Sequence, residues 1–319
     1  MAADINEYFS FYGKSDGPRL IILGAVHGNE TCGTKAIRQV MAQLDGGTLK
    51  LERGRVTFVP VANPLAYQNN RRFGERNLNR MLKPYAEPAV FEDHIANWLC
   101  PLLADHDVLL DLHSFQGAGR PFVMVGPENN SGPIEPFQFA EQELALTKIL
   151  GVQRAVDGWL ETYDYGIKRR QAAGESVYAL AEQNVQFGVG TTEYMRSQGG
   201  YAVTLECGNH LDPEAPAVAL QAILNTLSHL GCTADTVAPV PRTMESLRLY
   251  DVIDKADAGD TFSREWASFD AITRGQEIGV RVNGEIMRAP EDGYIVFPDD
   301  QAGAGDEWFY LAKAHDRFE

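Results

Sequence analysis

Hydrophobic residues between positions 19 and 231 recur in two patterns, as short continuous runs and as runs with helical spacing. The continuous runs predict buried strands, and apolar residues three and four positions apart predict helices. The predicted strands cover 19–26, 55–62, 106–112, 121–125 and 202–205. The predicted helices cover 34–44, 89–103, 137–150 and 212–231. Pro101 should bend or end the second helix, and the last one should begin with Asp212 as N-cap and end at Gly231.

This alternation of strands and helices predicts an α/β fold, with a mixed, mostly parallel sheet covered by helices on both faces. In such sheets, ligands bind outside the carboxyl ends of the strands. The segment 157–200 has weaker periodicity and several glycines. We expect this segment to be an insertion that forms one wall of a site at that edge.

The pattern changes after the proline-containing segment 237–241. Beyond it the chain carries short alternating runs, at 279–282, 294–297 and 308–311, and no long helical pattern. Alternating runs separated by turn residues are typical of small β-barrels and β-sandwiches. The sequence therefore predicts two domains, a larger one over 1–236 and a small all-β one over 237–319.

Composition and charge narrow the classes of function. The chain of 319 residues has 44% hydrophobic and 23% charged residues, which is an ordinary globular composition. Its net charge of -16 argues against nucleic acid and anionic membrane surfaces as partners. No apolar run approaches the roughly 20 residues of a membrane span, and the first residues do not resemble a signal peptide. We therefore expect a cytoplasmic protein whose four scattered cysteines are free thiols.

Two histidines and a glutamate are the candidate metal ligands. His27 and Glu30 lie in the turn after the first predicted strand, and His113 follows a distant strand in the sequence Asp-Leu-His-Ser. Two imidazoles and one carboxylate, with a fourth position for water, form the ligand set of hydrolytic zinc sites. The mixed nitrogen and oxygen donors suit zinc best. An enzyme is therefore the leading interpretation.

A purely structural interpretation of these residues stays open. The pattern HxxE occurs by chance in many proteins, and a helix dipole favours a glutamate at a helix N-terminus without any metal. Glu206 follows the strand 202–205, so that His27, His113 and Glu206 all lie at strand ends. Because three independent segments converge on one sheet edge, the metal site is the favoured interpretation.

Glu206 is the candidate general base. A carboxylate that emerges from a buried strand into a cleft can take a proton from water and later return it to a leaving amine. The alternative is a carboxylate at a strand end that is neutralised by an ion pair.

Four arginines lie within ten residues, together with two asparagines. They are Arg71, Arg72, Arg76 and Arg80, with Asn77 and Asn79 among them. Guanidinium groups bind carboxylates through two parallel hydrogen bonds and can stabilise an oxyanion. The alternative is a solvated basic loop. Arg71 and Arg76 are the members we expect to have no role in the site.

Four motifs together resemble the succinylglutamate desuccinylase/aspartoacylase family, which is related to the zinc carboxypeptidases of the carboxypeptidase A type. They are GAVHGNE at 24–30, RFGERNLNR at 72–80, DLHS at 111–114 and LECG at 205–208. The resemblance extends over about residues 18–235. It implies a carboxypeptidase-like fold for a catalytic domain over 1–236, one zinc ion per subunit, and a small-molecule N-acyl amino acid as substrate.

The resemblance also implies roles for single residues. His27, Glu30 and His113 match the family's zinc ligands, and Glu206 matches its catalytic base and acid. Arg72 matches the arginine that polarises the scissile carbonyl group. The residues that match the substrate-carboxylate contacts are Asn79, Arg80 and, by its spacing from Glu206 alone, Arg196.

One position departs from the family pattern. The family commonly reads Asp-Leu-Asn-Arg, and here the first position is Asn77. This change removes a carboxylate next to the residues that match the anion-binding pair. Asp111 lies two residues before His113. It could hydrogen-bond a metal ligand without binding the metal itself, or it could make a structural hydrogen bond.

These observations predict a zinc-dependent hydrolase that cleaves the amide bond of an N-acyl amino acid. The nearest alternative is a zinc carboxypeptidase that acts on short peptides. An alternative of another class is a non-catalytic protein that binds acyl-amino acids. The sequence leaves open the acyl group, the amino acid and whether the chain forms a homo-oligomer.

Overall fold

A computed structural model of the protein describes residues 6–173, 184–234 and 244–318. In these ranges the chain forms an α/β fold with one large mixed sheet and a separate small antiparallel sheet. The predicted fold class is therefore confirmed.

The strands before residue 235 form one side of the large sheet, from its edge strand inward. They are β1 (Phe9–Tyr12), β2 (Ser15–Gly24), β3 (Arg53–Val59), β4 (Val108–Phe115), β5 (Phe122–Met124), β6 (Arg154–Asp157) and β7 (Tyr201–Asn209). β2, β4 and β7 are hydrogen-bonded side by side and parallel. Their carboxyl ends therefore lie at one edge of the sheet.

The strands after residue 244 extend that sheet and build the small one. They are β8 (Glu245–Asp254), β9 (Thr261–Phe262), β10 (Ala271–Ile272), β11 (Glu277–Val280), β12 (Ile286–Arg288), β13 (Gly293–Val296) and β14 (Glu307–Ala314). The order in the large sheet is β1-β3-β2-β4-β7-β5-β6-β8-β14-β13-β10, and in the small sheet β12-β11-β9. β8 joins the two parts of the large sheet by pairing with β6 in parallel. The division into two domains stays a prediction, and its expected boundary at 237–241 lies outside the described residues.

Seven α-helices lie in the described ranges. They are α1 (Cys32–Asp45), α2 (Pro64–Gln68), α3 (Phe91–Ala104), α4 (Ala140–Ile149), α5 (Trp159–Ala173), α6 (Thr191–Ser197) and α7 (Ala215–His229). A short 3-10 helix covers Val185–Gly188. Within the predicted insertion 157–200, the described residues thus form α5, the 3-10 helix and α6.

The centre of the sheet is buried on both faces, which explains why β2 reads as a continuous apolar run instead of alternating. Leu20 and Ile22 pack into a core with α1 and α7 on one face. Ile21 and Leu23 pack into a second core with α3 on the other face. Each fully buried aliphatic side chain of this kind stabilises the fold by about 1.5–3 kcal/mol.

The structure corrects three details of the predicted elements. β7 does not end at Glu206 but continues to Asn209. The N-cap of α7 is Glu214 instead of Asp212, because Pro216 and not Pro213 occupies its first turn. α3 continues past Pro101 to Ala104, since a proline in the last turn removes only one backbone donor.

Two further expectations concern cysteines and membrane spans. All four cysteines are free and buried, as predicted. Among the helices in the described ranges, none has the length and apolar content needed to cross a membrane.

Candidate active site

Three predicted site residues lie where the central parallel strands end. β2 ends at Gly24, three positions before His27. His113 on β4 lies directly opposite Glu206 on β7 in the register of the two strands. Because parallel strands present their carboxyl ends at one edge, the fold brings these distant segments together as predicted.

Two backbone features fix the turn that carries His27 and Glu30. Ala25 adopts a left-handed conformation with φ 49°, which redirects the chain as it leaves β2. Gly28 packs against the backbone of α2, where an added Cβ would lie 2.0 Å from the carbonyl carbon of Ala66. Only glycine fits there, so α2 determines the path of the chain between the two candidate ligands.

The side chains of His27, Glu30 and His113 converge on one point. The Nδ1 atom of His27 lies 2.8 Å from Oε1 of Glu30, and Nδ1 of His113 lies 2.9 Å from Oε2 of the same carboxylate. One ligand atom from each residue lies within 4.8 Å of the others, and all three residues are buried. Within the described ranges, these residues form the one group of three or more histidines, cysteines or carboxylates that could hold a metal ion.

The second ring nitrogen of each histidine, Nε2, faces an oxygen atom of a residue outside this group of three. Nε2 of His27 hydrogen-bonds Oδ1 of Asn77 at 3.1 Å. Nε2 of His113 lies 3.0 Å from Oδ2 of Asp111, an ion-pair distance without the alignment of a hydrogen bond. Outer oxygen atoms of this kind fix the orientation of metal-binding imidazoles. The two nitrogens and one carboxylate that remain therefore fit a zinc ion.

The charges of the three groups depend strongly on one another. Burial lowers the pKa of His27 to about 4, and the positive charge of Arg72 acts in the same direction. Burial also opposes a charge on His113, but the carboxylates of Asp111 and Glu30 outweigh it and raise its pKa well above the usual value. The two carboxylates therefore favour a positive charge at this point, which a bound metal cation can supply.

Glu206 has the environment of a proton acceptor and donor. Its side chain is buried, and its Oε2 atom makes no hydrogen bond with any described residue. Burial raises its pKa to about 8, and the nearby carboxylate of Glu30 acts in the same direction. A carboxyl group whose pKa lies near neutrality can exchange protons with a reacting group efficiently.

Arg72 lies beside the metal-binding group, on a loop between α2 and α3. Its Nη1 donates to Oε1 of Glu30 at 3.2 Å, and almost half of its side chain remains exposed, at 47%. The loop is held by Glu92, which is fully buried and accepts hydrogen bonds from the backbone nitrogens of Gly74, Glu75 and Arg76. Acidic residues in the first turn of a helix are common, so this function of Glu92 had no specific signal in the sequence.

The remaining arginines of the loop have different surroundings. Arg71 is exposed, whereas Arg76 forms an ion pair with Asp93 and hydrogen-bonds the loop backbone. Arg80 is buried, and its Nη2 donates to both carboxylate oxygens of Glu307 on β14, at 3.0 and 2.9 Å. Its guanidinium also lies over the ring of Trp159 at 5.1 Å.

Asn79 connects the loop to α6. Its Oδ1 atom accepts a hydrogen bond from the backbone nitrogen of Thr191 at 2.9 Å. Gly190 makes this contact possible, because an added Cβ there would lie 2.1 Å from the same oxygen. Asn79 thus has a fixed orientation beside Arg80.

Arg196 lies in a buried cluster of charges. Its guanidinium contacts the carboxylates of Glu135, Glu143 and Glu193 at 2.7, 3.0 and 3.2 Å, and only 2% of its side chain is exposed. Nη2 also donates to the backbone oxygen of Ala202. Its role in substrate binding stays a prediction, and these contacts argue against it.

One cavity of about 530 Å³ reaches all of the predicted site residues. They are His27, Glu30, Arg72, Asn79, Arg80, His113, Arg196 and Glu206. The cavity is also lined by residues that the sequence did not indicate, from the 157–200 segment and from the C-terminal strands. These include Trp159, Tyr163, Phe187, Phe297, Glu307 and Tyr310. The predicted insertion therefore does form a wall of the cavity.

The sequence profile of the succinylglutamate desuccinylase/aspartoacylase catalytic domain matches residues 16–230, about two thirds of the chain. The protein belongs to this family. The family consists of hydrolytic deacylases, so the match supports an enzyme. No curated protein sequence matches the chain.

Solved structures of the family share the fold. A succinylglutamate desuccinylase/aspartoacylase from Rhodobacter sphaeroides has a TM-score of 0.71 and 17% identity, with 97% of this chain and 89% of that chain covered. The ectoine utilization protein EutE (DoeB) from Ruegeria pomeroyi has a TM-score of 0.70 and 18% identity, with 96% and 88% covered. A succinylglutamate desuccinylase from Vibrio parahaemolyticus has a TM-score of 0.68 and 16% identity, with 94% and 82% covered. At these identities the likeness concerns the fold alone.

Proposed function

We propose that the protein is a zinc-dependent hydrolase that cleaves the amide bond of an N-acyl amino acid. The observation that carries this proposal is the arrangement at one sheet edge. His27, Glu30 and His113 converge on one point, with Glu206 opposite His113 and Arg72 in contact with Glu30. Membership of a hydrolytic family supports the same reaction type.

His27, Glu30 and His113 would hold the zinc ion. When bound, zinc supplies a Lewis acid that polarises a carbonyl group and lowers the pKa of water. Asn77 and Asp111 hold the two imidazoles with Nδ1 turned toward the metal position. Fixed ligands of this kind reduce the reorganisation that binding requires.

The other residues of the site act on substrate and water. Glu206 accepts a proton from the attacking water and later gives it to the departing amine. Arg72 donates hydrogen bonds to the carbonyl oxygen as negative charge develops on it. Asn79 and Arg80 bind the free carboxylate of the amino-acid part. Nη2 of Arg80 donates to Glu307 and Nη1 to the backbone oxygen of Asn79, and the guanidinium has further N–H donors at Nε and Nη1.

The test is amine release from a panel of N-acyl amino acids by zinc-loaded protein, with and without a chelator. We expect turnover of at least one acyl-amino acid, its loss with the chelator, and its recovery when zinc is restored. Faster cleavage of dipeptides would favour the carboxypeptidase alternative. Tight binding of acyl-amino acids without turnover, by folded and zinc-replete protein, would favour the non-catalytic alternative and contradict the proposal.

A further inference from the structure

The cavity has two features that the reaction itself does not require. Its arginines are neutralised by carboxylates of the chain, and one of its walls is built from aromatic rings. Together these features bear on the side chain of the substrate.

The arginines that line the cavity offer little free positive charge to a second carboxylate of the substrate. Each arginine that lines it contacts an acidic side chain. The pairs are Arg72 with Glu30, Arg76 with Asp93, Arg80 with Glu307, Arg170 with Asp254, and Arg196 with three glutamates. Arg196 is the most enclosed of the predicted carboxylate contacts. A carboxylate that reached it would have to displace a buried glutamate and leave that glutamate without its partner, which is strongly unfavourable.

The aromatic wall is continuous and comes from two parts of the chain. Trp159 and Tyr163 on α5 lie 5.1 Å apart, and Phe187 follows at 6.3 Å from Tyr163. Tyr310 on β14 stacks on Trp159 at 5.3 Å and contacts Phe297 at 6.1 Å. Trp159, Phe187 and Phe297 are only partly buried, so they keep ring surface that a ligand in the cavity can cover.

The backbone holds part of this wall in an unfavourable conformation. Phe297, directly after β13, adopts φ 49°, in the left-handed region that bulky residues rarely occupy. Its backbone nitrogen is held by the hydroxyl group of Ser268 at 3.0 Å. Strain of this kind persists where surrounding contacts fix a side chain in a functional place.

The wall lies next to the residue proposed to bind the substrate carboxylate. The Arg80 guanidinium lies 5.1 Å from the centre of the Trp159 ring and 5.6 Å from that of Tyr163. The side chain of an amino acid whose carboxylate contacts Arg80 therefore lies near these rings. The cavity volume of about 530 Å³ also leaves room for a large side chain, since it is typical of pockets for drug-sized ligands.

We infer that the substrate is an N-acyl amino acid with an uncharged aromatic side chain and a single carboxylate. This inference rests on the proposed function and adds the substrate class. An aromatic side chain covers apolar surface and makes ring contacts with the wall. Arg80 and Arg72 are assigned to the single carboxylate and to the carbonyl oxygen of the substrate. The other arginines of the described cavity are held by acidic residues of the chain, so an acidic side chain finds no further arginine.

The first experiment compares substrates that share the acyl group and differ in side chain. The series is N-acetyl-phenylalanine, N-acetyl-leucine, N-acetyl-aspartate and N-acetyl-glutamate, with zinc-loaded protein. We expect kcat/KM to be highest for the phenylalanine compound and about tenfold or more above the aspartate compound. Faster hydrolysis of either acidic compound overturns the inference and leaves the proposed hydrolase function intact.

A binding measurement separates failure of this inference from failure of the proposed function. Free phenylalanine and free aspartate are added to the zinc-loaded protein, and the thermal unfolding midpoint is recorded. A shift with phenylalanine alone supports the inference even if no acyl compound is hydrolysed. A larger shift with aspartate, or no shift with either, overturns it.

A variant of the wall tests the same contact. Phe187→Leu should raise KM for N-acetyl-phenylalanine about three- to tenfold more than KM for N-acetyl-alanine, because the smaller substrate does not reach the ring. Tyr12→Leu is the matched control, because Tyr12 is 71% exposed and lies on β1, outside the cavity. An equal loss of kcat for both substrates in the Phe187 variant would indicate a structural role and contradict the inference.

Discussion

Glu206 illustrates how a single residue acquires its chemistry from its surroundings. Burial raises its pKa to about 8, because the charged carboxylate loses water and gains no hydrogen bond at Oε2 among the described residues. The residue lies opposite His113, so it can exchange protons with a reactant near the metal position.

Replacement of this carboxyl group by an amide removes the proton exchange and keeps the shape. We expect Glu206→Gln to lower kcat about 100- to 10,000-fold and to leave the zinc content unchanged. Kinetics and metal analysis of the purified variant measure both quantities. Glu265→Gln, at an exposed position, is the control and should keep full activity. Retention of more than a tenth of the activity by Glu206→Gln would contradict the proposed role.

Asn77 is the position at which the chain departs from its family, and the structure gives it a defined contact. Its Oδ1 atom accepts from Nε2 of His27 and from the backbone nitrogen of Asn79. The corresponding contact of His113 is with a carboxylate, that of Asp111. A neutral amide makes the ring of His27 a weaker ligand than a carboxylate would.

Two substitutions test this difference. Asn77→Asp keeps both hydrogen bonds and adds a charge, so the zinc dissociation constant should fall about tenfold. Asn77→Leu removes the acceptor and should raise it about 10- to 100-fold. Competition with a chromogenic chelator measures both. Equal affinities for both variants and the native protein would show that this contact does not affect the metal.

At the scale of elements, the candidate site depends on how closely short segments approach one another. Gly28, between His27 and Glu30, lies against the backbone of α2. The register of β4 and β7 shifts between His113 and Phe115, and Gly208 has φ 116° there. Bulges of this kind redirect side chains next to active sites.

The close approach at Gly28 gives a sharp prediction. Gly28→Ala should lower the free energy of unfolding by about 1–3 kcal/mol or more and abolish zinc binding, because the clash is with backbone atoms. Denaturant unfolding and metal analysis test this. Gly117→Ala is the stability control, since its added Cβ would meet its nearest neighbour, the Pro298 oxygen, at an ordinary 3.7 Å. Full zinc content in Gly28→Ala would mean that α2 does not determine the turn.

At the scale of the whole molecule, the cluster around Arg196 connects distant segments through buried charges. One guanidinium faces three carboxylates, so the cluster has an excess of negative charge. Burial raises the pKa of Glu135 to about 7, and Glu193 acts in the same direction against the opposing effect of Arg196. One of the three carboxylates therefore holds a proton near neutral pH.

This raised pKa predicts how stability depends on pH. The folded state binds the proton more tightly than the unfolded chain, so the contribution is fully present below about pH 4.5 and is lost as pH rises through about 7. In that window the unfolding free energy should fall by up to about 1.4 kcal/mol per pH unit from this group. Glu135→Gln should flatten this part of the profile in urea unfolding at several pH values. An unchanged slope would contradict the assignment of the proton to Glu135.

Much of the fold could be predicted because its central elements carry strong local signals. The continuous apolar run of β2 predicts a strand that is buried on both faces, and the apolar spacing of α1 predicts a helix that covers one of them. β1 and β6, which are short and have weak patterns, were missed. The start of α7 was misplaced by two residues, because Pro213 and Pro216 both fit a helix N-terminus.

The sequence by itself determined the groups that could perform chemistry. His27, Glu30, His113 and Glu206 were identified by residue type and by their location at strand ends, because parallel strands direct these ends to one edge. Only the tertiary structure decided the environment of these groups. Glu307 reaches Arg80, and three glutamates enclose Arg196, across separations in the chain that no local pattern encodes. The pairing of charges and the aromatic wall depend on which distant segments pack together, and the substrate class that we infer rests on these contacts.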